Sequence, residues 1–368
     1  MTTQSSKLSQ QLKSCTYLSA YLIATLSALG YLWGGLWSFA TPLVIFALVP
    51  ILELFTAPQT ENLSQEVLDE MKGSPFYHTL LLLVVPIHYG LLALYLWRAT
   101  QGEWSALEWI GCTLSMGIAC GSYGINVAHE LGHCRDERSR LAAKALLLTS
   151  LYMHFFIEHN RGHHAKVATA EDPASARLSE GVYAFWWRSV TGSFISAWRI
   201  EARRLERKSL SAWSWDNQAL RFVVCEVGAV IAIGLVAGYT ALIGWICAAI
   251  IGFTLLEVIN YIEHYGLERS RDERGRYETV TPAHSWNSDH VVSRVLLFEL
   301  SRHADHHAHP RRSYQELRHF PESYQLPTGY PGMIMLALVP PLYRALMARQ
   351  IERETLRTQS LLTQSSAA

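Results

Sequence analysis

From Ser14 to Leu52 the chain carries not one charged side chain. That is about twice the ~20 residues one helix needs to cross the hydrocarbon of a bilayer. The run is broken by "YLWGGLWSFATP" (31–42), which holds a Gly-Gly pair, a proline and two tryptophans. It therefore reads as a tight helical hairpin, 16–36 and 41–56, with aromatic residues anchoring its turn at the membrane–water boundary. No A-x-A-like cleavage site closes the run, which predicts a retained anchor behind a polar N-terminal segment, 1–15.

Four further apolar runs follow, at 77–97, 107–128, 222–238 and 241–260, the last two joined by only two or three residues. The expected fold class is all-α: an integral membrane protein of about six transmembrane helices in one domain, 16–350, with a cytoplasmic, helical, histidine-rich cap. Two shorter runs, 141–157 and 331–347, fit core or interfacial helices. The Ser/Gln/Ala-rich tail, 351–368, reads as disordered. Six crossings return every histidine-rich segment to the side of the N-terminus. Lys7, Lys13, Arg199, Arg203, Arg204, Arg207 and Lys208 share that side, as the positive-inside rule asks of a cytoplasmic face.

Composition agrees. Charged residues make up 17% of the chain, against about 25% in soluble proteins. The formal net charge of zero argues against nucleic acid as a partner, because phosphate binding needs a basic excess. The six cysteines are scattered with no CxxC pair, so neither a disulfide framework nor a zinc–thiolate site is expected. Cys134, beside His133, is the one thiol near the features described next.

The histidines are clustered. "HELGH" places His129 and His133 at i,i+4, on one helix face. "FFIEHNRGHH" adds His159, His163 and His164; "NYIEHYG" adds His264; "RHADHHAH" adds His303, His306 and His307, followed by His309. Thirteen of the sixteen histidines lie between 129 and 309. Imidazole suits divalent iron, zinc and copper, and nine clustered rings exceed what one ion can use, so two metals is the economical reading. A zinc protease would explain HExxH, with Glu130 as general base, but would leave seven imidazoles without a role. A metal carrier or transporter would also gather histidines, yet the close i,i+3 and i,i+4 spacings favour a fixed site.

These strings, in this order and around apolar hairpins, resemble the integral-membrane alkane 1-monooxygenases, within the wider histidine-box group of membrane desaturases and hydroxylases. The resemblance covers roughly 20–345 and includes "DPAS", "HSWNSDH" and "LPTGYPG". Desaturases usually carry HxxHH in the second box; here "HNRGHH" has one residue more, as in the alkane hydroxylases. Cys134 and Ala304 stand where the family commonly has Lys and Ser. The resemblance implies that His129, His133, His159, His163, His164, His264, His303, His306 and His307 hold two non-haem iron ions. It implies a medium-chain n-alkane as substrate, hydroxylated with O2 at its terminal methyl. It further implies a rubredoxin or ferredoxin electron donor served by an NAD(P)H-dependent reductase, in the bacterial inner membrane. A fatty-acyl desaturase or hydroxylase, or an aromatic-methyl monooxygenase, is the nearest alternative.

The chain has neither a Rossmann fingerprint nor a CxxC iron site, so it cannot draw electrons from NADH unaided. Membrane lipid suits the substrate: at about 0.8 kcal/mol per CH2, an eight-carbon alkane prefers lipid to water by something on the order of 6 kcal/mol. Ile45, Leu48 and Leu81 are candidates for lining its channel. Glu130, Glu158, Asp172, Glu257, Glu263 and Asp305 are candidates to orient the imidazoles or to supply a carboxylate. Glu53 and His88, polar within apolar runs, are further candidates, as are His154, His284, His290 and His309. The basic run 198–210 reads as a solvated or lipid-facing helix, or as a docking face for the electron carrier.

Overall fold

The charge-free run folds as a helical hairpin, Ser14–Trp33 and Gly35–Leu54. Its turn is the Gly-Gly pair: Gly34 and Gly35 sit at φ 64° and 53°, a left-handed region that costs glycine little. The Gly34 N–H returns to the Gly30 carbonyl at 3.0 Å, and Glu108 accepts from the Gly35 N–H at 2.5 Å. Trp33 and Trp37 pack edge to face beside the turn and stay exposed. In this computed structural model the backbone is described for residues 14–367 and the side chains for 14–360. Lys7, Lys13 and most of the polar N-terminal segment lie outside the described residues.

Helix Pro75–Thr100 opens on Ser74, whose hydroxyl accepts from the Phe76 N–H, with proline at the first helical position; proline there gives up only an N–H that has no helical partner. The next helix begins with a reciprocal cap between Ser105 and Glu108. It runs as one column through Ala106–Ile118, a π-helical stretch Ala119–Ile125, and Asn126–Gly132. Every residue from 115 to 129 is buried, so this column is the centre of the bundle, surrounded by protein rather than by lipid.

The long helix Gln218–His264 is two helices merged across Gly238, which sits at φ 77°, ψ 179°. The chain reverses there. The Met153 N–H donates to Glu226 and the adjacent Tyr152 hydroxyl donates to Glu257, both at 2.7 Å. A straight helix would hold those two carboxylates about 46 Å apart, at 1.5 Å per residue. Among the described residues, four helices are long and apolar enough to cross a membrane, namely the two hairpin arms, Pro75–Thr100 and this reversing one.

The arm after Gly238 presses closely on the central column. A Cβ at Gly252 would stand 2.6 Å from that of Cys120, and one at Gly121 would stand 2.8 Å from the Gly252 carbonyl oxygen. Small residues at such a crossing let two backbones approach and gain dispersion contacts. Gly252→Val is therefore expected to destabilise the protein by about 1–3 kcal/mol through overpacking, read as a lowered midpoint of thermal unfolding in detergent. An unchanged midpoint would show that the two helices can separate freely.

The remaining elements form a cap over one end of the bundle. They include helices Glu137–Leu148, Val182–Glu206, Val291–Leu296 and His303–Ala308, and a parallel pair of two-residue strands, Trp286–Asn287 with Tyr324–Gln325. The run 331–347 is split into Tyr330–Ala337 and Pro340–Ala367. That last helix runs through the first part of the segment where polar composition suggested disorder. Glu354, buried, accepts from the Gln325 N–H at 3.1 Å and pairs with Arg357 at 2.7 Å, tying the helix to the strand pair. Polar composition alone hid these contacts.

Candidate metal centre and its cavity

The nine histidines meet, in two groups. His129, His133, His159, His164 and His306 form one; His163, His264, His303 and His307 form the other, and within each group the donor atoms lie within 4.8 Å of one another. The arrangement follows from helix geometry. His129 and His133 stand one turn apart at the end of the central column. Neighbouring residues on a helix point about 100° apart, so each His-His doublet divides: His164 and His306 face the first group, His163 and His307 the second.

The extra residue in "HNRGHH" is absorbed by a π-helical turn, His159–His163. On an α-helix His159 and His164, five residues apart, would point about 140° away from each other. The wider turn brings their Nε2 atoms to 3.0 Å.

Nε2 faces Nε2 throughout: His129–His306 at 2.9 Å, His133–His159 at 3.1 Å, His164–His306 at 3.2 Å, His163–His307 at 3.2 Å and His264–His303 at 3.3 Å. These separations match edges of a coordination polyhedron whose metal–nitrogen bonds are ~2.0–2.1 Å. Converging lone pairs repel unless a proton or a cation lies between them. Burial opposes protonation: it pushes the His133 imidazole down to about 4 and holds His129, His159, His164, His303, His306 and His307 well below their usual range. Neutral imidazole is the form that binds metal. The donor set thus fits two transition-metal ions.

His163 differs. Burial pulls it down, but the Asp172 carboxylate outweighs this and leaves it above its ordinary value. Asp172 accepts from His163 Nδ1 at 2.8 Å, from Ser175 Oγ at 2.6 Å and from the Ala174 N–H at 3.1 Å. It thereby orients the ring with Nε2 towards its group. Glu263 stands with Oε2 3.2 Å from His303 Nε2, while its Oε1 accepts from Tyr330 Oη at 2.7 Å.

The other candidate carboxylates turn elsewhere. Glu130 accepts from the Tyr314 N–H at 2.9 Å, and burial pushes it up to about 7. Glu158 accepts from Ser196 at 3.2 Å, and Glu257 from Tyr152. Asp305 is taken up by His309 and Arg312, each at 2.7 Å. Glu53 accepts from the Ser293 N–H and His88 meets Thr149; both stitch helices together. His154 packs on Tyr152 and Phe194, His284 on Thr281 and Glu278, and His290 on Ser288. His154, His284, His290 and His309 belong to neither histidine group.

A narrow, largely apolar cavity reaches both groups, touching His129 and His159 of one and His303 of the other. Phe155, Leu256, Ile259, Leu297 and Leu300 line it, with Ser122, Asn126 and Asn260 as its polar points. Ile45, Leu48 and Leu81 do not: Ile45 and Leu81 are buried in the packed bundle and Leu48 faces outward. Periodicity marks an apolar face without saying which neighbour it meets. Asn126 and Asn260 went unrecognised from sequence, although they precede His129 and His264 by three and four residues, on the same helix faces.

The fatty acid desaturase family model matches residues 103–333. Alkane 1-monooxygenase of Ectopseudomonas oleovorans is 42% identical over 305 residues, 83% of this chain and 76% of that protein. Alkane 1-monooxygenase 2 of Pseudomonas aeruginosa is 40% identical over 337 residues, 89% of each chain. The xylene/toluene monooxygenase hydroxylase component of Pseudomonas putida is 28% identical over 339 residues, 90% of this chain and 88% of that one. With its histidine strings in place and most of its length matched, the chain belongs to the alkane 1-monooxygenases of the fatty acid desaturase family.

Proposed function

We propose that this enzyme is a non-haem di-iron monooxygenase that converts the terminal methyl of medium-chain alkanes to a primary alcohol. It works at the cytoplasmic face of a bacterial inner membrane that the chain crosses six times. The observation that carries this is the convergence of nine imidazoles in two groups beside one apolar cavity. The balance is one alkane, one O2, two electrons and two protons giving one 1-alkanol and one water. A rubredoxin or ferredoxin, kept reduced by an NAD(P)H-dependent reductase, supplies the electrons.

His129, His133, His159, His164 and His306 would hold one iron. His163, His264, His303 and His307 would hold the other, with Glu263 placed to add an oxygen donor. The irons supply oxygen activation. The chain's own residues supply position and the exclusion of water: Asp172 aims His163, Tyr330 holds Glu263, and Phe155, Leu256, Ile259 and Leu297 keep the cavity apolar.

An alkane offers no hydrogen-bonding handle, so packing must choose its length, with about 1–3 kcal/mol at stake per methylene. Ile259→Ala is accordingly expected to raise the decane-to-octane rate ratio roughly tenfold, measured as alcohols formed in competition. An unaltered ratio would remove Ile259 from the substrate path. The reading as a whole is tested by metal analysis of the purified protein together with octane turnover in a reconstituted electron-transfer chain. Two irons per chain and 1-octanol are expected. An alkene product, or a protein that binds zinc and consumes no oxygen, would overturn it.

A further inference from the structure

Helix Val182–Glu206 carries two different faces. Its first half exposes Tyr183 and Trp187, side chains suited to a membrane boundary. About 18 Å further along the axis, at 1.5 Å per residue, Arg199 and Arg203 line a cleft together with Lys166 and Arg177. None of these four cations lies within ion-pair distance of a carboxylate among the described residues. By contrast, Arg188 in the same cleft is held by Glu180 at 2.7 Å, and Glu171 faces Arg271 at 3.7 Å. The next arginine on the helix, Arg204, is likewise spent, bound with Arg161 to the buried Glu201. The cleft therefore presents uncompensated positive charge.

Asp172 also lines that cleft, and it is the residue that accepts from His163 Nδ1. A hydrogen-bonded link thus joins the cationic cleft to the four-histidine group. A second cleft, lined by His133, is less basic. It exposes His133 between Arg135, Arg311 and Arg312, but Asp136 and Glu130 share its wall, and Arg312 is committed to Asp305.

We propose that the cleft of Lys166, Arg177, Arg199 and Arg203 is where an acidic, one-electron carrier protein docks, and that electrons enter through Asp172 and His163. This rests on the monooxygenase reading given above, whose two electrons must arrive singly from such a carrier. Each encounter oxidises one reduced carrier by one electron. Two encounters complete a turnover, with the two protons drawn from water. Charges at a docking rim act mainly on association and on its salt dependence.

The test is calorimetric titration of an acidic rubredoxin into the full-length protein in nanodiscs of zwitterionic lipid. The paired substitutions Arg199→Glu and Arg203→Glu should weaken binding at least about tenfold and flatten its dependence on salt. Arg135→Glu with Arg311→Glu should leave the dissociation constant within about twofold. Unfolding midpoints check that each variant is intact, and Arg199→Gln and Arg203→Gln singly, each expected to weaken binding about threefold, serve if the double charge reversal does not fold. Unchanged binding in the first pair, loss confined to the second, or a defect seen only in discs of anionic lipid would overturn the assignment, the last by making the cleft a headgroup site. Dye-driven formation of 1-octanol separates the two readings: its absence in the wild-type protein removes the oxygenase proposal and leaves the binding result standing.

Discussion

Replacing His159 by alanine is expected to cut octane hydroxylation by at least about a hundredfold, and to empty one metal position while the other stays filled. His159 lies at the centre of the five-histidine group, its Nε2 3.1 Å from that of His133 and 3.0 Å from that of His164. Losing a partner one bond removed from a metal typically costs 10–100-fold in affinity or activity, so losing a donor sets that as a floor. His163→Ala should do the converse, emptying the four-histidine group and sparing the other. Iron per chain and the rate of 1-octanol formation, measured on the same preparations, check both. Full iron content in either variant would mean that the two groups are not two sites.

Asp172→Asn should reduce iron affinity by about 10–100-fold with the fold intact. The carboxylate is buried against His163 Nδ1 and is itself held by Ser175 and the Ala174 N–H. An amide at this position keeps the shape but loses the charge that favours one ring orientation and a more basic Nε2. Excess ferrous iron should restore part of the lost rate, because the defect lies in holding the metal. Ser175→Ala, one hydrogen bond further out, should cost less. If Asp172→Asn retains iron through chelator washes as the wild type does, the carboxylate is not orienting a ligand.

Local physics made much of this protein legible in its residues. Thirty-nine residues without a charge can hardly be anything but membrane helix, and Gly34–Gly35 marks the turn because only glycine adopts that backbone cheaply. The histidine spacings mark a cluster because helical periodicity turns i,i+4 into a shared face. Each of these is settled within a few residues. The reading fails where a residue's role depends on what the fold brings against it. Asp305 looked like a partner for the nine clustered imidazoles and is held instead by His309 and Arg312. Glu354 lies at the start of the segment whose composition suggested disorder, and it meets a strand about thirty residues earlier. Ile45 and Leu81 looked like channel walls; both are buried, and neither lines the cavity beside the histidines.

By itself, then, the sequence determined the helical membrane class, the clustering of the histidines and the family, because periodicity, charge and spacing act along the chain. Only the tertiary structure decided how nine imidazoles divide into five and four, which side chains wall the cavity, and which cations are left unpaired beside Asp172. Those depend on contacts between helices far apart in sequence, and no local pattern encodes the angle at which two helices meet.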